Sequence, residues 1–352
     1  MKKNTSECFS ALWANLPFDK RRVEFLAAFV IAVFQLNTSN LARLANVLDL
    51  QCKKESKYRR IKRFFTDAEI DLTIFARLIL AMVKPDGKYI LALDRTEWKY
   101  GVVWVNILTL SIVVGNTSIP LFWKTLNRKA NSKLCEKKTI LNRFIEAFGI
   151  ENIEYLCADR EFDGVEFVKY LDAEKIPFRL RVKVSMPITD KYGKPIKCGK
   201  LLRTLKIGES YKLRRARIYG EVKVYVEVER GRDSKESVIV ISSENSGRIL
   251  VEYKRRWSIE TLFQNLKSRG FEMEKTHLTK AEKIDKLFGV LAIAAAWAIK
   301  TGEAESAANP IEIKKNGRAQ SSIFRVGCEI IQEVFLELRR YSTVNIFEIL
   351  RC

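Results

Sequence analysis

The sequence contains almost no histidine and no closely spaced pair of cysteines. His277 is the only histidine among 352 residues, which excludes chemistry that needs a histidine base together with a histidine metal ligand. The seven cysteines are scattered, with no Cys-x-x-Cys pair, so they indicate neither a zinc site nor a disulfide framework. Any metal would therefore be held by oxygen ligands, which favours Mg²⁺ or Mn²⁺.

Long apolar segments are also absent from the sequence. The longest runs, residues 25–34 and 287–299, are too short to span a bilayer and are predicted to be buried helices. The basic start Met1-Lys2-Lys3 is followed by polar residues, whereas a signal peptide would continue with an apolar stretch. We therefore expect a cytoplasmic location.

Basic residues, in contrast, are abundant. Lys and Arg total 63 against 42 Asp and Glu, which gives a formal charge of +21. Such an excess favours a polyanionic partner, and nucleic acid is the most common one, because each phosphate neutralised by Lys or Arg releases condensed counterions. Charge supports binding but says nothing about catalysis.

Hydrophobic patterning predicts four parts of the chain. Residues 1–85 are predicted to form a helical domain, with helices at 22–36, 41–48 and 71–83 and possible caps at Thr38 and Ser39. Residues 86–184 and 244–300 are predicted to form a mixed α/β domain. Its first three strands are expected at 89–94, 102–114 and 119–123, with a hairpin turn at Gly115-Asn116. Residues 185–243 are predicted to be a β-strand insertion in which 222–228 pairs with 237–242, and residues 301–352 a C-terminal helical segment.

One predicted helix in the first part, at residues 53–65, has two different faces. Tyr58, Ile61, Phe64 and Phe65 lie on one arc, and the opposite arc carries Arg59, Arg60, Lys62 and Arg63. A charged face of this kind can simply be solvated. The charge of the whole chain favours the alternative, in which these four side chains bind DNA.

Two aspartates follow short apolar strands. Asp94 ends the predicted strand at 89–93, and Asp159 ends the one at 155–158. A single aspartate at such a place often only begins a turn. Strand ends are also where α/β proteins build their sites, so two aspartates followed by a matching helix favour a functional site.

The matching helix is predicted at residues 248–269 and ends at Gly270. Tyr253, Arg256, Glu260 and Lys267 fall within about 60° of one another around its axis, and Ile259, Leu262, Phe263 and Leu266 form an apolar face that would pack on a sheet. An Arg or Lys one turn from a Glu is often an ordinary surface pair. Spacing alone leaves both interpretations open.

Several segments together resemble a known family. The pattern Tyr253-x2-Arg256-x3-Glu260-x6-Lys267 matches the Y-R-E-K signature of cut-and-paste bacterial insertion-sequence transposases with a ribonuclease-H-like DDE domain. Residues 93–98 (LDRTEW) and 158–162 (ADREF) resemble the segments around the first and second aspartates of that family. Residues 56–65, and 317–318 with 322–325, resemble its ends.

The resemblance implies an α/β (α+β) fold. A ribonuclease-H-like mixed sheet would be flanked by helices, preceded by the N-terminal helical domain at 1–85 and interrupted by the β-rich insertion between the second Asp and the Glu. In that family the insertion contacts transposon-end DNA. The location would then be a bacterial cytoplasm, in association with the nucleoid.

The resemblance also implies site roles. Asp94, Asp159 and Glu260 would be catalytic and would hold two Mg²⁺ or Mn²⁺ ions, while Tyr253, Arg256 and Lys267 would contact phosphates. The partners would be double-stranded DNA, both transposon inverted-repeat ends and target DNA, and a second copy of the chain in a synaptic homodimer. Hydrolysis would free a 3′-OH that forms a hairpin on the opposite strand, and the reopened end would attack target DNA. Trp257 would either stack on a flipped base or pack at the edge of the core.

Two other functions are compatible with the same residues. One is a ribonuclease-H-like nuclease that cuts DNA without joining it. The other is a non-catalytic DNA-binding repressor derived from a transposase. The three carboxylates argue against the repressor, and the Tyr-Arg-Glu-Lys pattern argues against the simple nuclease.

Overall fold

The computed structural model describes residues 6–8, 10–12, 16–50, 52–67, 70–190, 193–233, 236–336 and 345–351. The helices that follow residue 16 are α1 (Lys20–Leu36), α2 (Leu41–Val47), α3 (Lys54–Asp67), α4 (Leu72–Val83), α5 (Leu134–Phe148), α6 (Val165–Ala173), α7 (Ile249–Lys254), α8 (Trp257–Gln264), α9 (Ala281–Ala308), α10 (Ile323–Phe335) and α11 (Ile346–Leu350). The strands are β1 (Tyr89–Tyr100), β2 (Val103–Val114), β3 (Thr117–Thr125), β4 (Ile153–Ala158), β5 (Phe178–Arg181), β6 (Pro187–Thr189), β7 (Pro195–Lys197), β8 (Ser210–Ile218), β9 (Val222–Glu229) and β10 (Val238–Ser242).

All ten of these strands join one mixed sheet, in the order β3-β2-β1-β4-β5-β10-β9-β8-β6-β7. The first three form an antiparallel meander, and β4 and β5 run parallel to β1. The hairpin predicted at Gly115 is present, and Gly115 has a φ of 56°, which favours glycine. A large mixed sheet flanked by helices confirms the predicted α/β class and agrees with a ribonuclease-H-like arrangement.

The first strand is longer than predicted. Instead of ending at Asp94, β1 continues to Tyr100, and its residues 91–100 pair with β2. The polar segment Arg95-Thr96-Glu97 hid this continuation, because the apolar run of residues 89–93 has ended before it. Asp94 therefore lies within a strand that is hydrogen-bonded on its β2 side, and its backbone is held more firmly than a loop would hold it.

The strands of the predicted insertion extend the same sheet. The expected pairing of β9 with β10 is confirmed, with Val226 opposite Ile241. On its other edge β10 pairs antiparallel with β5, where Ile241 lies opposite Leu180. Residues 187–242 are thus connected to the central strands by a continuous hydrogen-bonded ladder.

The N-terminal helices follow the predicted pattern with one correction. Thr38 and Ser39 are not the caps of α2. Asn40 is, and its side chain accepts hydrogen bonds from the backbone N–H groups of Ala42 and Arg43. Thr38 and Ser39 are buried, and the Ser39 hydroxyl donates to the Phe271 carbonyl at 2.7 Å. Capping residues at successive positions look alike in sequence, and only the packing separates them.

The longest helix, α9, is apolar enough to resemble a membrane span. By length and composition it passes that test, but 83% of its most apolar window is buried inside the protein. Phe34 of α1 contacts Trp297 of α9 with ring centroids 5.5 Å apart, and Trp123 of β3 contacts Phe288 of α9 at 5.1 Å. The helix therefore connects the N-terminal helices to the sheet.

Helix α10 crosses α9 at a pair of glycines. A Cβ atom added to Gly327 would lie 1.7 Å from the Ala298 carbonyl oxygen, and one added to Gly302 would lie 2.0 Å from the Ile323 carbonyl oxygen. Both contacts are with backbone atoms, which cannot rotate away. The two helices can approach this closely only because both positions lack a side chain.

We expect Gly327→Ala to lower the free energy of unfolding by about 1–3 kcal/mol, because the added methyl group forces α10 away from α9. Urea unfolding followed by circular dichroism measures this loss. Gly164→Ala is the matched control, since its Cβ would meet nothing within 4 Å. Equal stability of the two variants would contradict a tight crossing.

Candidate active site

Two aspartates are brought together by the parallel pairing of β1 with β4. In this register Leu93 lies opposite Ala158, so Asp94 and Asp159 occupy the next positions on neighbouring strands. Asp94 also accepts a hydrogen bond from the backbone N–H of Arg95 at 2.8 Å. Asp159 begins a short 3₁₀ turn, Arg160–Phe162. Sequence analysis predicted that both would lie at strand ends, and the structure places only Asp159 there.

The third carboxylate lies on a helix that is interrupted. The prediction of one continuous helix over 248–269 is wrong: α7 ends at Lys254, α8 begins at Trp257, and residues 265–269 form a π-helical turn. Between α7 and α8 the backbone N–H groups bond three residues back rather than four, as from Arg256 to Tyr253 at 2.9 Å. This tighter turn still leaves Arg256 in contact with both Tyr253 and Glu260.

Arg256 lies at the centre of the site and is 1% exposed. Its Nη1 donates to Asp94 Oδ2 at 2.9 Å, and its Nη2 donates to Glu260 Oε1 at 2.7 Å. Its Nε donates to the Tyr253 hydroxyl at 2.9 Å, and that hydroxyl donates to Asp159 Oδ1 at 3.3 Å. All three predicted carboxylates are therefore joined through Arg256 and Tyr253.

Lys267 is separated from this network. It lies in the π-helical turn, where its Nζ donates to the Glu97 carbonyl at 2.8 Å and pairs with Glu274 at 3.1 Å. Its ammonium group also lies 5.8 Å from the centre of the Trp98 ring. The structure thus brings together three of the four predicted helix residues and holds the fourth beside β1.

Three neighbours of the site were not predicted from sequence. The Arg95 Nε donates to both Glu161 carboxylate oxygens, at 2.7 and 2.9 Å, and so ties β1 to the turn after β4. Arg181, at the end of β5, lies 3.7 Å from Asp159 Oδ1. Arg95 belongs to the LDRTEW segment and Glu161 to the ADREF segment, so their positions beside the two aspartates in these motifs could have identified them as neighbours of the site. Arg181 had no local signal, because only the order of the strands brings it here.

Burial and charge oppose each other at Asp94. Burial raises the pKa of its carboxyl to about 6, although the Arg256 guanidinium acts to lower it. Burial also raises the pKa of Tyr253 well above its ordinary value, so this phenol stays protonated and acts as a hydrogen-bond donor. Glu260 faces outward, with 53% of its side chain exposed.

The donor atoms suit a hard divalent cation, because Mg²⁺ and Mn²⁺ prefer carboxylate oxygens. The present arrangement is not a ready metal site. Among the residues that the structure describes, no group of three His, Cys, Asp or Glu side chains is placed to hold a metal ion. The Arg256 guanidinium lies between Asp94 and Glu260 and uses the oxygens that a metal would need. The carboxylates therefore fit a metal in chemical type and in location, once that guanidinium moves.

Trp257 lies next to Arg256 and is 56% exposed. This exposure disfavours the alternative in which it packs at the edge of the core. More than half of its surface is instead open to solvent.

A second group of basic residues lies on α3. Its apolar face is buried as predicted, through Ile61, Phe64 and Phe65. On the other face Arg59, Lys62 and Arg63 are exposed and Arg60 is half-buried, and none of the four forms an ion pair with a described residue. Arg60 and Arg63 line a cavity of about 250 Å³ together with Arg21 and Arg22 of α1. Sequence analysis missed these last two, because nothing local indicated that α1 lies beside α3.

Comparison with known proteins gives one family. The profile described as "Transposase DDE domain" matches residues 85–297, which is more than half of the chain. The matched region begins just before β1, ends within α9 and contains all three carboxylates. Among curated proteins, no significant match to the chain is found.

The raised pKa of Asp94 predicts a pH-dependent stability. Between its ordinary value of 3.8 and its folded value of about 6, the folded state binds more protons than the unfolded state. The free energy of unfolding therefore falls as the pH rises through this range. We expect Asp94→Asn to remove a fall on the order of 2–3 kcal/mol, measured by urea unfolding in EDTA across this range.

Asp86→Asn is the control, because Asp86 is exposed and its replacement should leave the pH profile unchanged. Asp285, whose pKa burial also raises to about 6, contributes in the same direction in every variant, so the comparison isolates Asp94. A profile that Asp94→Asn leaves unaltered would show that this carboxyl ionises normally.

Proposed function

Because the chain belongs to the family of transposase DDE-domain proteins, we propose that it cuts DNA at transposon ends and joins those ends to target DNA. Asp94, Asp159 and Glu260 are the proposed catalytic residues. The observation that carries the proposal is their meeting around Arg256 and Tyr253. They come from β1, the end of β4 and α8, separated along the chain by 65 and 101 residues. Carboxylates that the fold brings together from such distant parts of the sequence repel one another unless a cation compensates their charge.

Asp94, Asp159 and Glu260 would together hold two Mg²⁺ or Mn²⁺ ions. When bound, the ions would supply a hydroxide at neutral pH and stabilise the leaving oxygen. The chain itself would position the DNA. Arg95 and Glu161 fix the turn that carries Asp159, and Tyr253 orients the Asp159 carboxylate through its hydroxyl.

Arg256, Lys267 and Tyr253 are proposed to contact phosphates next to the cut bond. In the structure all three already have protein partners, so DNA would have to replace those partners. The exposed Trp257 is suited to stack on a base extruded from the duplex, which would relieve the strain of a hairpin end. Freeing a 3′-OH, forming the hairpin, reopening it and attacking target DNA would then use the same carboxylates in turn.

The proposal also covers DNA contact by the β insertion, the oligomeric state and the cellular location. Strand β8 carries exposed Lys212, Arg214, Arg215 and Arg217, which suits contact with transposon-end DNA. Joining two ends requires that both be held together, for which we propose a homodimer in the synaptic complex. A bacterial cytoplasm, with the protein on the nucleoid, is the location that this function needs.

A nuclease that cuts without joining would use the same three carboxylates. The two functions differ in the fate of the 3′-OH, which a nuclease leaves free and a transposase transfers. A plasmid carrying the element ends, incubated with a second target plasmid, distinguishes them by the appearance of joined products. A non-catalytic repressor would give neither cut nor joined DNA.

We expect Glu260→Gln, Asp94→Asn and Asp159→Asn each to abolish Mg²⁺-dependent nicking of a supercoiled plasmid that bears the transposon ends. Each change keeps the side-chain volume but removes one negative oxygen that the ions require. Gel mobility of a labelled end should show that DNA binding persists. Glu146→Gln is the matched control, because Glu146 is exposed on α5, outside the carboxylate network. Equal cutting by the wild type and Glu260→Gln would reject the assignment.

Binding to the transposon end should weaken steeply with salt. If six or more phosphates are contacted, the affinity should fall on the order of 10³-fold or more between 50 and 200 mM salt. Replacing Arg59, Arg60, Lys62 and Arg63 by Ala should lower the affinity and reduce the salt slope by about one for each lost phosphate contact. Fluorescence anisotropy of a labelled end measures both quantities.

The control for this prediction removes four positive charges from another part of the protein. It replaces by Ala two residues of α5, one of α6 and one that follows α6: Lys138, Arg143, Lys169 and Lys175. Both variants lower the net charge equally, so any difference between them reflects location. If the α3 variant binds as tightly as the control, the basic face of α3 is only solvated.

A further inference from the structure

The most buried charge in the candidate site is a cation, not a carboxylate. Each of the three nitrogens of Arg256 donates to a different residue: Nε to Tyr253, Nη1 to Asp94 and Nη2 to Glu260. The side chain is 2% exposed, whereas those of Asp94 and Glu260 are 15% and 53% exposed. The guanidinium therefore lies between the two carboxylates and is more deeply buried than either of them.

A metal ion would compete for the same space. Asp94 Oδ2 and Glu260 Oε1 are both engaged by one guanidinium, at 2.9 and 2.7 Å. Mg²⁺ requires oxygen ligands at about 2.0–2.1 Å in a nearly octahedral arrangement. A planar guanidinium and such an ion cannot both lie between these two oxygens, so the states with Arg256 and with metal exclude each other.

Moving Arg256 out of the site without a new partner would be costly. Breaking a buried ion pair by removing one partner is strongly destabilising, because a charge is left uncompensated. A phosphate is the natural new partner, since the guanidinium fork matches phosphate oxygens as well as carboxylate oxygens. On the carboxylate side, the incoming metal would replace the lost positive charge.

We infer that Arg256 is the internal counter-cation of the carboxylate site, and that a DNA phosphate withdraws it so that DNA binding and metal binding strengthen each other. The inference rests on the proposed function in taking the carboxylates as a metal site and DNA phosphate as the group that withdraws Arg256. Free protein is thereby kept from loading metal fully until DNA is in place, which limits cutting to assembled complexes.

The local backbone supports such a movement. Arg256 lies in the tight turn between α7 and α8, where the N–H groups of Arg255, Arg256 and Ile259 each bond three residues back. A small change in this turn would rotate Arg256 relative to α8. Of the two carboxylates that Arg256 contacts, that of Glu260 is the more exposed to solvent.

The test measures metal affinity directly and does not depend on cleavage. Mn²⁺ binding is followed by electron paramagnetic resonance, with the free protein and with a duplex carrying the inverted repeat that flanks the gene. Reciprocity requires that the DNA increase Mn²⁺ affinity by the same factor as Mn²⁺ increases DNA affinity. For the wild type we expect a factor within the usual range of about 5 to 150.

In the absence of DNA, Arg256→Gln should bind Mn²⁺ at least about fivefold more tightly than the wild type. The factor by which the inverted-repeat duplex increases its Mn²⁺ affinity should fall towards the factor that a duplex of unrelated sequence gives. Arg255→Gln is the matched control. It removes the same charge one residue away, from an exposed side chain with no ion pair to a described residue. Its Mn²⁺ affinity should stay close to that of the wild type.

Mn²⁺ affinity of Arg256→Gln equal to that of Arg255→Gln, or weaker, would overturn the inference. Should Arg256→Gln fail to fold, Arg256→Lys replaces it. A lysine keeps the charge but cannot bridge both carboxylates, so an Mn²⁺ affinity unchanged from the wild type would then overturn the inference.

Failure of the proposed function would look different. In that case the wild type neither nicks nor joins end DNA, and the ratio of Mn²⁺ affinities between Arg256→Gln and Arg255→Gln is still measurable. Conversely, wild-type cutting together with identical Mn²⁺ binding by the two variants would leave the transposase proposal intact and reject the role of Arg256.

Discussion

The parallel pairing of β1 with β4 is the contact on which the rest of the molecule depends. On one side of it lies the meander β1-β2-β3, and on the other lie β5 and the strands of residues 187–242. Its register, with Leu93 opposite Ala158, also sets the positions of Asp94 and Asp159. A shift of one residue would turn one of the two carboxylates to the opposite face of the sheet. Fold and site are therefore determined by the same row of hydrogen bonds.

A cluster of carboxylates at this position is unfavourable unless positive charge is supplied. Asp94 shows the cost, since burial raises its pKa to about 6 even with Arg256 beside it. The chain supplies the charge from within, through Arg256 between Asp94 and Glu260 and through Arg181 near Asp159. These ion pairs stabilise the arrangement of the carboxylates, and they come from groups that would have to yield to metal and substrate.

Much of this could be predicted from sequence, because the signals are local. Alternating apolar residues identified β9, the expected pairing partner of β9 identified β10, and an apolar strand followed by aspartate identified Asp159. What escaped prediction depended on contacts between distant segments. β1 continues past Asp94 because β2 pairs with it there, and the helix carrying Glu260 is interrupted where Arg256 turns inward to Asp94. Helical periodicity assumes a regular helix, so it placed Lys267 with the other three residues, whereas the π-helical turn moves it beside Glu97.

The position of Arg256 explains why a motif alone could not assign its state. Residue type and spacing indicate a cation near a cut phosphate, and the same cation satisfies two carboxylates when no phosphate is present. The two arrangements differ in their pairing: in one the guanidinium pairs with Asp94 and Glu260, and in the other it would pair with phosphate while metal pairs with the carboxylates. Each charge keeps a partner in both states, so neither requires an uncompensated buried ion. An exchange of this kind can be nearly balanced in free energy, which allows the concentration of DNA to decide between the two arrangements.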